Sequence, residues 1–296
     1  MASERLEHIS TSNTFQKALK SLWNSPDHKQ FSGTSLGVLS AKICGVLTVF
    51  LVQIPLTRLL GAENYGTYVY ILSWVTVAGI LTSLGMDTVF VKYIPTCVTN
   101  RSWAQLKGIL TFGLASTLTA SIILAAAVYV FFDVVDMVDF SLSTYLPAAT
   151  ALLIALTCFQ LVRSALRGLE LVVLAEILDS IVRPLLFLAV FLFLFFRISV
   201  QNTQAVLWAN VFAVLLVLVS LSVYLWRNLP APAKKTRSDF SRRSEWLSLA
   251  LPMILMAGMN VLLSRTDILM LGSMRGPADA GIYSIGSSLP NCLMTI

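Results

Sequence analysis

The sequence predicts an all-α, multi-pass transmembrane helical bundle, and three observations predict it. Apolar stretches of about 20 residues, the length that crosses a hydrocarbon core of roughly 30 Å, recur from Leu36 onward. Only 12% of the 296 residues are charged while 56% are hydrophobic, and mean hydropathy is +0.79. A soluble domain would carry roughly 25% charged residues. The runs are continuous rather than alternating, which excludes a transmembrane β-barrel and leaves helices to satisfy the backbone in lipid.

Seven spans follow in order: Leu36–Leu60, Tyr68–Phe90, Leu106–Phe132, Tyr145–Leu166, Val172–Phe196, Ala205–Trp226 and Trp246–Leu271. An eighth opens at Ile282 and is still apolar at Ile296, short of the roughly 20 residues a span needs, so the second bundle reads as truncated. The polar stretch before Leu36 contains no secretory signal core. Within it Phe15, Ala18, Leu19 and Leu22 share one helical face beside Lys17 and Lys20, either a short helix on the membrane surface or a solvated tail. The segment RNLPAPAKKTRSDFSRRSEW, Arg227 to Trp246, breaks the apolar pattern as a linker does. The organisation is therefore a tail (1–35), a six-helix bundle (36–226), a basic linker (227–246) and the first one to two helices of a second bundle (247–296).

Charge sets the expected orientation. With the N-terminus cytoplasmic, 15 of the 21 Lys and Arg fall on the inside, and only Arg58, Arg197 and Arg275 lie outside. The net charge of +6 then reads as a topology signal with affinity for anionic lipid, not as a nucleic-acid footprint.

Two stretches repeat a pattern. LTRLLGAENYGTYVYILSW, from Leu56, and LMLGSMRGPADAGIYSIGSSL, from Leu269, each end an apolar run in a glycine turn and reopen on aromatics. Aligning Gly61 with Gly272, Gly66 with Gly281 and Tyr68 with Tyr283 puts four extra residues in the second loop. Both turns sit at the outer end of a span that starts inside, so the repeat is expected to be parallel. Tyr65, Tyr68, Tyr70 and Tyr283 suit the membrane interface.

Ionisable residues inside spans are functional candidates. Glu176, Asp179 and Arg183 fall within about 60° of one another on span five, and Pro184 should disturb the backbone there. They read as a cavity-facing stripe for an anionic headgroup and a coupling cation, or as a salt bridge locking the span. Arg163 and Arg167, with Lys42, make either a basic vestibule for a pyrophosphate or a set of snorkelling cations. Arg265 and Asp267 either hold substrate near the outer end of span seven or anchor that end. Gln53 and Pro55 suggest a kinked, polar-lined first span.

TRLLGAENYGTYVY, SLGMDTVFVKYIP, RSALRGLE with AEILDSIVRPLLF, and LALPMILMAGMN with TDILMLG and AGIYSI occur in this order. The set resembles the polysaccharide flippase family of the multidrug, oligosaccharidyl-lipid and polysaccharide exporter superfamily. The resemblance implies two bundles around a cavity open to each face in turn. It also implies flipping of a polyprenyl-pyrophosphate-linked oligosaccharide to the outer leaflet of a bacterial inner membrane. Arg163, Arg167, Arg183, Arg265 and Lys42 would then meet the substrate. Glu176, Asp179 and Asp267 would couple an ion, H+ or Na+, and polysaccharide-building enzymes would be partners. A multidrug or lipid II exporter of the same superfamily is the near alternative; a membrane-embedded glycosyltransferase or polymerase and a structural scaffold are the distant ones. No enzyme, cofactor or metal is expected. His8 and His28 lie in the tail, Cys44, Cys97, Cys158 and Cys292 lack ligand spacing, and no nucleotide or nucleophile motif occurs.

Overall fold

The structure, a computed structural model, describes residues 26–134, 144–198 and 202–294. The proposed surface helix around Phe15–Leu22 lies outside them. The described residues contain helices and no strand, and six helical stretches are long and apolar enough to cross a membrane. The chain is an all-α multi-pass membrane protein.

The helices are α1 (Pro26–Ser83), α2 (Met86–Thr99), α3 (Trp103–Val134), α4 (Leu146–Gly168), α5 (Val172–Ile177), a π-turn (Leu178–Val182), α6 (Arg183–Ile198), α7 (Thr203–Asn228), α8 (Ala231–Lys235), α9 (Arg243–Met274) and α10 (Pro277–Met294). Helix α1 begins ten residues before the expected first span, at Pro26, so part of the polar tail is helical. It is two spans rather than one. Gly61 has φ 74° and ψ 170°, which breaks the helix. The Gln53 side-chain amide donates to the Tyr65 hydroxyl at 2.8 Å. Residues 12 apart in a straight helix stand about 18 Å apart, so the limbs 26–60 and 62–83 fold back on each other at Gly61. The connection expected between Leu60 and Tyr68 is thus a single glycine, with Ala62–Asn64 already helical.

Expected span two is also divided. Leu84 and Gly85 take positive φ, 50° and 67°, and the chain restarts as the separate helix α2. Helix α2 is amphipathic: Met86, Val89, Phe90, Ile94 and Cys97 are buried and Val91 and Lys92 exposed. Its apolar face joins Leu106 and Ile109 of α3, Leu161 and Ala165 of α4, and Trp246 and Ala250 of α9 in a second core at the end remote from Gly61. The larger core runs through the second limb of α1, α4, α6 and α7.

The repeat is present in a corrected register. Gly272 is helical; the left-handed glycine that ends α9 is Gly276, at φ 100°, followed by Pro277 at the first position of α10. Gly61 to Gly276, Gly66 to Gly281 and Tyr68 to Tyr283 are then all separated by 215 positions, with no inserted residues. A bond between side chains crosses each hairpin, Gln53 to Tyr65 in the first and Tyr283 Oη to Asp267 at 2.7 Å in the second. The two hairpins also meet reciprocally. A Cβ at Gly66 would lie 1.8 Å from the Pro277 carbonyl oxygen, and one at Gly281 would lie 3.2 Å from that of Ala62. Pro277 is the equivalent of Ala62, so each glycine faces the other hairpin's copy of its own neighbour. That reciprocity is the mark of a two-fold relation. Neither position has room for a side chain.

Candidate functional site: an ion-pair network and a polar cavity

Two polar regions are built into the bundle, and both touch α6. The first lies between α4 and the segment that follows it. Helix α4 ends at Gly168, Glu170 takes φ 66°, and the Leu171 N–H donates back to the Leu166 carbonyl at 3.0 Å. The chain therefore reverses tightly around Leu171, and residues equidistant from it come face to face. Arg167 Nη2 lies 2.6 Å and Arg163 Nη2 3.3 Å from Glu176 Oε2. Arg163 Nη1 pairs with Asp179, and Arg183 Nε lies 3.1 Å from Asp179 Oδ1. The Arg183 guanidinium also sits over the Phe159 ring, 5.5 Å from its centre.

Local backbone chemistry shapes this arrangement. Pro184 has no N–H for the carbonyl of Ser180 four residues back, and the helix widens into the π-turn just before it. The disturbance expected at Pro184 is present in that form. Glu176 is only 6% exposed, and a buried carboxylate is tolerable only when paired. It faces two guanidinium groups, which answers why the stripe contains a second acid beside Asp179. Three arginines meet two carboxylates, leaving one positive charge in excess.

The second region is a cavity of about 580 Å³ between the two limbs of α1, the start of α6, α9 and α10. Its polar lining includes Gln53, Tyr65, Tyr68, Arg265 and Ser284, and Pro184 and Phe187 bring α6 to it directly after Arg183. Arg265 is half-buried, and among the described residues no carboxylate lies within ion-pairing distance of it. Sequence placed Arg265 with Asp267, but they part company: Arg265 lines the cavity, while exposed Asp267 accepts the Tyr283 hydroxyl.

Sequence groups Arg163 and Arg167 with Lys42, as a basic vestibule or as snorkelling cations. The structure places Arg163 on Glu176 of α5 and Asp179 of the π-turn, and Arg167 on Glu176. Lys42 is half-buried on the first limb of α1, between Gly37, which packs on Val173, and Gly45, which packs on Ser180. Sequence suits the tyrosines to the membrane interface, and two of them lie elsewhere. Tyr65 and Tyr68 are 5% and 6% exposed and face the cavity, with Tyr68 stacked on Phe187 at 5.9 Å. Gln53 does line that cavity, as its place in the first span suggested.

One residue of this region escaped the sequence reading altogether. Asn210, buried on α7, donates from Nδ2 to the Tyr68 hydroxyl at 2.9 Å. Its signal was a lone amide in the apolar run VLWANVFAVLL, where an unpaired polar group is costly. Among the described residues no group of three or more His, Cys, Asp or Glu is placed to hold a metal ion.

The profile of the family described as polysaccharide biosynthesis protein matches residues 34–294. Comparison with curated proteins and comparison with solved structures each returned no match. A match over nearly the whole chain, on a helical membrane bundle with this ordered set of motifs, settles the family: the chain belongs to the polysaccharide biosynthesis protein family.

Proposed function

We propose that the protein is a flippase, moving a polyprenyl-pyrophosphate-linked oligosaccharide between leaflets of a bacterial inner membrane, N-terminus in the cytoplasm. The observation that carries this reading is Arg265, a cation without a carboxylate partner among the described residues, in a polar cavity of about 580 Å³ between two hairpins. Carrying a diphosphate and sugars through hydrocarbon is costly because their hydration is lost. A guanidinium and hydroxyl groups replace it, and Arg pairs with phosphate by parallel N–H bonds. The two-fold relation of the hairpins fits two lobes that rock against each other, six helices in the first and the opening helices of the second after the basic linker.

In this scheme the Arg163–Glu176–Asp179–Arg183 network holds α5 and α6 on α4 while the cavity changes its opening. Glu176, Asp179 and Asp267 are the carboxylates through which an H+ or Na+ gradient would act, and anionic lipids would meet the basic linker. Polysaccharide-building enzymes would supply the glycan on one face and consume it on the other. The test is reconstitution in liposomes with a fluorescent lipid-linked oligosaccharide, scored by accessibility of the glycan from outside. Movement faster than in protein-free vesicles is the expected result; equal rates overturn the reading.

A further inference from the structure

We infer that Asn210 is a positioning residue that turns the Tyr68 hydroxyl into a hydrogen-bond donor aimed at the cavity, selecting for an acceptor-rich, anionic group such as a pyrophosphate. This rests on the flippase reading and specifies what its cavity recognises. A phenol has one proton to give and lone pairs to receive. Asn210 Nδ2 donates to the Tyr68 oxygen at 2.9 Å, so the amide occupies a lone pair and leaves the phenolic proton unspent. Tyr68 is 6% exposed, and among the described residues its O–H has no acceptor. A buried donor without an acceptor is costly, and its side chain lines the cavity that holds Arg265. The phenol is held on both sides, by the Phe187 ring stacked at 5.9 Å and by the amide at its tip. Asn210 itself does not line the cavity, so its influence passes through Tyr68.

The alternative polarity is chemically simple. A carboxylate in place of the amide would accept a hydrogen bond from the phenol and leave its oxygen lone pair facing the cavity, turning a donor into an acceptor. An anion would then meet repulsion where it met a hydrogen bond, and a hydrogen bond to a charged group is the stronger kind.

The experiment measures binding of farnesyl pyrophosphate to the purified protein in detergent by calorimetry, with thermal unfolding as a check on folding. Tyr68→Phe and Asn210→Asp should each weaken binding by about tenfold or more, the scale of one hydrogen bond to a charged group. In the Tyr68→Phe background, adding Asn210→Asp should cost nothing further, because its intermediary is gone. Should Asn210→Asp fail to fold, Asn210→Leu keeps the test open: it frees the phenol to rotate, and its loss should likewise vanish beside Tyr68→Phe. Asn210 variants that bind as well as wild type, or that lose as much in the Tyr68→Phe background as alone, overturn the inference and leave the flippase reading intact. A folded wild-type protein that binds no pyrophosphate overturns both.

Discussion

The network around Glu176 and the cavity around Arg265 use the same cation in opposite ways. Arg163, Arg167 and Arg183 all stand against carboxylates, and the tight reversal at Leu171 delivers the partners. Arg265 faces hydroxyl groups and open volume, with no carboxylate beside it among the described residues. A guanidinium whose charge is already answered holds helices together, and a ligand must compete with Glu176 or Asp179 to reach it. One whose charge is unanswered contributes little to folding and, on the flippase reading proposed above, would meet the substrate. The contrast separates residues that composition alone places in one basic class.

The largest effect should come from breaking the network. Glu176→Ala leaves Arg167 without its carboxylate and strips Arg163 of one of two, and removing one partner from a buried ion pair costs about 3 kcal/mol or more. Thermal unfolding of the detergent-solubilised protein checks it, and pairing the change with Arg167→Ala should recover about 1 kcal/mol or more of that loss. Arg265→Gln should do the reverse. Glycan movement in liposomes should fall about tenfold or more, while unfolding shifts by less than about 1 kcal/mol, since no ion pair is lost. A large stability loss there would erase the contrast.

The smallest effect belongs to a contact in neither setting. Tyr93 on α2 donates to Glu245 Oε1 at 2.9 Å outside the spans, and Tyr93→Phe should change stability by less than about 0.5 kcal/mol. Burial, and then the hydrogen bond to Glu245, raise the phenol above its ordinary value near 10. A raised folded pKa means that the contact's contribution is complete below pH 10 and is lost as pH rises through the folded value. Near neutral pH it should therefore be flat, which an unfolding series from about pH 6 to 9 would show.

Hydropathy located the spans well because lipid imposes length and composition on each one separately. Ser83–Asp87 and the second glycine turn were harder. Gly272 and Gly276 stand one helical turn apart, and aligning Gly61 on Gly272 selects the wrong one; only the backbone angle distinguishes them. The candidate site was legible as a set of residues and illegible as a set of partners. Glu176, Asp179 and Arg183 share a face by periodicity alone, but pairing with Arg163 and Arg167 depends on the reversal at Leu171, which periodicity does not encode. Tyr65 and Tyr68 were misplaced for the same reason. An aromatic a turn or two below a membrane surface suits an interface, unless a second hairpin covers it.

The crossing of Gly66 and Gly281 has a mechanical consequence. Interdigitated side chains resist tilt because each must change rotamer to pass its neighbour. At this crossing backbone meets backbone, and there are no rotamers to unlock. Placed on the two-fold relation of the hairpins, it would be the fulcrum of the rocking proposed above: for any lean of one hairpin on the other, displacement is least here and grows in proportion to distance. Filling either glycine would wedge the joint rather than merely loosen it, and the lever arms on both sides would lose their common bearing.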